Sequence, residues 1–285
     1  MMKLNKQPRL ATAIALVLVL FTTACKKTAT SPTAPLVVTG VQLTANDKFG
    51  NVLTDNNGKT LYFFAMDVSG TSACNDGCAL TWLPFYKDAP TIGTGLTATD
   101  FATITRADGS KQNTYKGWPI YYYTGDAKAG DVTGDGLEKL WFVAKADYTV
   151  MLGNAQLVGK DGVQYTSLSK PGKEISQYLT DAYGRTLYAF TPDKFKKNNY
   201  TKADFSNDAI WPIYKVDAVQ SVPSILDKTQ FDVITVFGKT QLVYKGWPMY
   251  YYISDNGVRG GTTGVSVPSP GVWPIVNLNS PVAPN

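Results

Sequence analysis

The sequence predicts an all-β protein built as two tandem, similar domains, and three observations carry that expectation. Composition favours strands and turns: Tyr, Phe, Val and Thr are abundant, with 25 Gly and 16 Pro in 285 residues. Short β-prone runs such as GKTLYFFAM and GWPIYYYTG stand between Gly and Asp turn signals. Outside the N-terminal residues, no segment sustains a 3.6-residue apolar period.

The tandem organisation is read from self-similarity. LTDNNGKTLYFFAMD (53–67) returns as LTDAYGRTLYAFTPD (179–193), and YKGWPIYYYTGD (115–126) returns as YKGWPMYYYISD (244–255). Two copies follow, residues 36–150 and 155–280, together roughly 250 residues and enough for two modest domains. Each copy is doubled again. Tyr-x-aromatic-x-x-Asp occurs at Tyr62/Phe64/Asp67, Tyr121/Tyr123/Asp126, Tyr188/Phe190/Asp193 and Tyr250/Tyr252/Asp255. A tryptophan follows each motif (Trp82, Trp141, Trp211, Trp273), and Trp118 and Trp247 sit in the two KGWP segments, so every tryptophan is a repeat position. Each copy is expected to be a small sandwich or barrel with an internal pseudo-repeat; a four-bladed radial arrangement of the quarters is the alternative. Leu61, Phe63 and Ala65 point one way along the first motif strand, and Tyr62, Phe64 and Met66 the other. Apolar residues on both faces imply a strand buried on both sides. RADGSKQ (106–112) carries an Asp-Gly between β-prone runs, a hairpin signal.

Residues 1–24 read as an export signal. Lys3, Lys6 and Arg9 precede the apolar run ATAIALVLVLF (11–21), too short to span a bilayer. Small residues then lead to Cys25, which resembles the lipobox cysteine of bacterial lipoproteins, where the thiol is acylated and the signal removed. Residues 25–35, rich in Thr, Pro and Ala, read as a flexible tether between the anchor and the folded body. Loss of Lys3, Lys6 and Arg9 lowers the formal net charge from +5 to +2, which leaves no electrostatic footprint for nucleic acid.

With Cys25 assigned to lipid, Cys74 and Cys78 are left as a pair, expected to be a disulfide in an exported protein. Thiolate pairs also suit Cu(I), so a redox or metal-handling role of this pair is the second functional class. The chain has no histidine, which removes Ser-His-Asp and Cys-His catalysis, histidine zinc sites and C-x-x-C-H haem attachment.

Other candidates are each weighed against the repeat. The motif tyrosines could form a ligand platform, but their recurrence favours cross-strand packing. Their four aspartates favour turn closure over paired catalysis. Tyr122 alternates to the opposite face and is a surface candidate, with Arg106 and Asp108 of the hairpin. Asp131, Thr133, Asp135 and Gly136 partly follow an EF-hand loop, but Phe142 stands where the bidentate Glu belongs. No metal, cofactor or catalytic residue is assigned.

The Tyr-x-aromatic-x-x-Asp motif, the GKTLY entry, the Cys-x-x-x-Cys loop before Trp82, the 106–126 segment and the Trp141 strand together resemble the bacterial secreted-repeat lipoproteins. That resemblance implies envelope location and a repeat architecture, with no established activity. The second copy departs from it: the cysteines align with Ala203 and Asn207, and Arg106 with Val236. The expected function is a non-enzymatic, lipid-anchored envelope module that binds a glycan or an envelope protein, on either the periplasmic or the cell-surface face. A histidine-free carboxylate hydrolase is the third class.

Overall fold

The computed structural model describes residues 40–255 and 258–285, and Val37–Asn285 forms one compact unit. The export signal, Cys25 and the tether lie outside the described residues. The first copy contributes β1 (Gly40–Asn46), β2 (Gly50–Asp55), β3 (Tyr62–Phe64), β4 (Trp82–Pro84), β5 (Thr91–Ile92), β6 (Phe101–Thr105), β7 (Lys111–Tyr115), β8 (Trp118–Pro119), β9 (Tyr121–Tyr123) and β10 (Trp141–Val143). The second contributes β11 (Val150–Val158), β12 (Gln164–Tyr165), β13 (Ile175–Asp181), β14 (Phe231–Val236), β15 (Lys239–Tyr244) and β16 (Trp247–Pro248). Among the described residues the one α-helix is a five-residue turn, Gly77–Thr81, and no 3-10 turn is longer.

The fold is all-β, made of several small sheets, none of which closes into a barrel. Nor do the quarter repeats form four blades. In the first copy they exchange strands within one sheet of order β10-β3-β9-β4. The two motif strands pair antiparallel at its centre, Tyr62 opposite Tyr121. The tryptophan strand that follows each motif then pairs with the other motif strand: β4 with β9, and β10 with β3. A pseudo-twofold thus runs between β3 and β9. The second copy keeps the pattern as single bridges, Tyr188 to Tyr250 and Ile275, and Ile213 to Tyr250.

The predicted hairpin at 106–112 joins β6 to β7, with Gly109 at φ 84 where the turn needs a left-handed residue. The first motif strand is buried on both faces through Ala65, as expected. Met66 is not, at 38% exposed, because the chain leaves β3 for a 3-10 turn at Ala65.

The two copies are fused through β11. Its side chains alternate, as a strand's must. Met151 packs with Phe63, Trp118 and Tyr148 in the core of the first copy. Val150 and Leu152 pack with Leu179, Leu242 and Met249 in the core of the second.

Candidate functional site

The repeated motif resolves into a reciprocal lock. Tyr62 donates its hydroxyl to Asp126 Oδ2 at 2.7 Å, while Tyr121 donates to Asp67 Oδ2 at 2.5 Å. In the second copy Tyr188 donates to Asp255 at 2.5 Å and Tyr250 to Asp193 at 2.7 Å. Each motif therefore supplies the acceptor for the other's tyrosine. The second carboxylate oxygen closes the following turn, accepting Ala73 N–H on Asp67, Thr133 N–H on Asp126, Asn199 N–H on Asp193 and Thr263 N–H on Asp255.

The middle aromatics and the following tryptophans build a four-ring stack in each copy. In the first, Phe64, Trp141, Trp82 and Tyr123 lie with successive centroids 4.0, 3.7 and 4.4 Å apart. In the second, Phe190, Trp273, Trp211 and Tyr252 follow at 4.4, 3.8 and 4.3 Å. The motif tyrosines meet the tryptophan faces edge-on, Tyr62 against Trp82 at 5.4 Å and Tyr121 against Trp141 at 5.2 Å. Glycine is required beside the stack: a Cβ on Gly134 would stand 2.8 Å from Trp82, and one on Gly264 2.7 Å from Trp211.

Burial governs the electrostatics of the lock. It pushes the Asp67 carboxyl up to about 7, against the opposing pull of Ala73 N–H, Tyr121 and Arg106. Asp193 is pushed up to about 7 for the same reason, and Asp255 is raised. Asp67 is 0% exposed with both oxygens engaged, so it presents nothing to a ligand.

The remaining sequence candidates are also engaged internally. Arg106 is buried and donates to Ser72 Oγ, Gln112 Oε1 and the Cys74 carbonyl. Asp108 lies on the exposed turn and caps Ser110. Tyr122 does face away from Tyr121, but its hydroxyl donates to Asp55 Oδ2 at 2.9 Å, as Tyr251 does to Asp181 at 3.0 Å. Asp131 accepts Ala127 and Lys128 N–H, and Asp135 accepts Val143 N–H, so this acidic loop spends its carboxylates on its own backbone.

Cys74 and Cys78 are bonded, tying the preceding loop to the start of the Gly77–Thr81 turn. The second copy replaces these devices with hydrogen bonds. Asn207 Oδ1 accepts Lys202 N–H where the disulfide would be, and Asn198 reaches Gln241 as Arg106 reaches Gln112. A free-thiol assay on aerobically purified native protein is expected to find no thiol at Cys74 or Cys78. Replacing both with serine is expected to cost about 2 kcal/mol in chemical denaturation, the small loop limiting the entropic effect. Two titratable thiols would overturn the first expectation.

The accessible site lies elsewhere. A cleft of about 490 Å³ opens beside Trp247, between the β12–β13 loop and the C-terminal tail. Trp247, Ile275, Pro274 and Leu168 supply apolar surface, and Leu168 is 75% exposed. Ser167, Thr191, Asn277, Asn279 and Ser280 supply hydroxyls and amides, and among the described residues no ionisable side chain lines it. A pocket beside Arg185 and Tyr251 holds only about 70 Å³. Sequence reasoning placed Trp247 in the repeat and passed over the tail. The available signal was the amide-rich run Asn277-Leu278-Asn279-Ser280, which continues past the last repeat strand.

The interlocked quarters and stacked tryptophans define a class: a β-repeat protein whose repeat unit is completed only by its neighbour. Residues 43–86 and 102–145 each match the model of a family described as a secreted repeat of unknown function. The first copy carries two such secreted repeats, one on each quarter. No curated protein and no solved structure matches it. That description suggests an extracellular or envelope protein and assigns no activity. Among the described residues no helix is long and apolar enough to cross a membrane.

Proposed function

We propose that this is a lipid-anchored protein of the bacterial cell envelope that binds a neutral glycan, without catalysis, in the cleft beside Trp247. The observation that carries the reading is the chemistry of that cleft. An indole and aliphatic surface faces amides and hydroxyls with no charge among them. Sugars pair a C–H face with hydroxyls in the same way, and an apolar surface with a few polar groups is the usual form of a binding site. The motif carboxylates are committed to tyrosines and turns, which supports a role without acid–base chemistry. Anchoring through Cys25 is supported by the short apolar segment before it.

Titration of the protein with neutral cell-wall and capsular oligosaccharides, followed by tryptophan fluorescence and calorimetry, tests the reading. Trp247→Ala and Asn279→Ala are each expected to weaken binding at least about tenfold, the equivalent of about 1.4 kcal/mol. Tyr183→Ala, remote from the cleft lining, is expected to leave it unchanged. Equal binding by Trp247→Ala, or no binding of any neutral oligosaccharide, would sink the proposal.

A further inference from the structure

The surface around Trp247 has a counterpart whose occupant is known, because Trp118 stands at the same position of the first copy. There the second copy covers it. Trp118 is 0% exposed and its indole N–H donates to the Ala182 carbonyl at 2.9 Å. Arg259 lies over its ring at 4.9 Å and donates through Nη1 to the Lys116 carbonyl at 2.7 Å. At the second copy the tail beyond its last tryptophan makes the same contacts. The Trp247 indole donates to the Pro281 carbonyl at 2.8 Å, and Ala283 N–H donates to the Lys245 carbonyl at 2.9 Å. Pro281 thus replaces Ala182, and the Ala283 amide replaces the Arg259 guanidinium.

The tail is a thin substitute for a repeat. The 490 Å³ cleft borders it on one side and a groove of about 210 Å³, lined by Phe195, Lys245 and Val282, on the other. Val282 itself is 62% exposed. A face shaped for a whole repeat is bridged by a few residues.

The complementary element is present at the other end of the chain. The loop at 55–59 is built like the loop at 181–185 that covers Trp118. Asp55 Oδ1 accepts Asn57 and Lys59 N–H at 2.9 Å each, and Asp181 Oδ1 accepts Tyr183 and Arg185 N–H at 2.9 Å each. Gly58 and Gly184 have φ of 74 and 79. Gly130 N–H bonds the Gly58 carbonyl as Gly260 N–H bonds that of Gly184. The Asn56 carbonyl therefore stands where the Ala182 carbonyl does. One part differs: exposed Ala129 occupies the position of Arg259.

We propose that the Trp247 face is a docking surface for a second copy of this chain, with the tail as its displaceable cap and the incoming loop 55–59 as its occupant. The contact is head-to-tail, so it propagates instead of closing on itself. The tail and the missing arginine both hold it in check, as the polar caps of repeat proteins do.

The test compares residues 37–285 with residues 37–278 by sedimentation velocity over a concentration series. The capped chain is expected to sediment as a monomer, and the truncated one to show a mass rising to twofold and beyond with concentration. Ala129→Arg in the truncated chain restores the guanidinium and is expected to tighten association about tenfold. Trp247→Ala is expected to return the truncated chain to monomer. If truncation prevents folding, Ala283→Pro in the capped chain removes the N–H that the Lys245 carbonyl accepts and leaves the rest of the tail in place, and the same series is run on it. An uncapped chain with a native melt that stays monomeric with and without Ala129→Arg overturns the proposal, as does association that survives Trp247→Ala. Glycan binding by the capped chain is read separately, so the two proposals fail independently.

Discussion

Trp82→Ala is expected to destabilise the protein by about 3–5 kcal/mol, the cost of emptying a large aromatic site in a close-packed core. Trp82 is sandwiched between Trp141 at 3.7 Å and Tyr123 at 4.4 Å, with Tyr62 edge-on at 5.4 Å. Each such pair adds about 0.5–1.5 kcal/mol beyond area burial. Gly134 packs against the same ring and cannot fill the void left by it. Trp211→Ala removes the equivalent ring, 3.8 Å from Trp273 and 4.3 Å from Tyr252, and is expected to cost a similar amount. Because β11 contributes Met151 to one core and Val150 and Leu152 to the other, each substitution should lower one shared transition. Calorimetry reads this as a fall in Tm of roughly 10 °C or more. A Trp82→Ala protein with a separate, unshifted transition for the second copy would refute the shared core.

Much of this arrangement was legible in the sequence. The spacing of the four motifs identified the aromatics as core and the aspartates as turn-closing groups, and the structure gives both roles to the same residues. The partners were not legible. A strand's alternation reveals which side chains share a face, but not which strand lies beside it. Tyr62 finds Asp126 instead of its own Asp67 because β3 and β9 pair across the pseudo-twofold. Arg106 illustrates a second limit. Beside an Asp-Gly turn it reads as a surface cation, yet its guanidinium turns inward to satisfy Gln112 and the Cys74 carbonyl. The Trp247 cleft escaped for a third reason. It is set by how the tail folds back onto Trp247 and Lys245, and no motif spacing encodes that.

Stability is expected to fall as pH rises from about 5 to 8, with the largest contributions from Asp67 and Asp193. Burial raises both carboxyls to about 7 in the folded chain, whereas in the unfolded chain they titrate near 3.8. Between those values the folded state holds protons that the unfolded state has released. The stabilisation is therefore full below about pH 4, declines through the folded value and is gone above it. Each unit of pKa difference is worth about 1.4 kcal/mol, so the two sites together lose a few kcal/mol over this range. Asp108, Asp161, Asp204, Asp227 and Asp232 have lowered values and oppose the trend only at more acid pH, which places the maximum near pH 4. A protonated Asp67 keeps the lock intact: its hydroxyl donates to the Tyr121 oxygen, and Tyr121 turns its own proton to Ser72 Oγ, 2.8 Å away. Asp67→Asn with Asp193→Asn fixes the neutral form and is expected to flatten the profile between pH 5 and 8. Thermal unfolding of both proteins across that range decides the matter. A native profile that is level or rising would mean that the motif carboxyls stay ionised in the core.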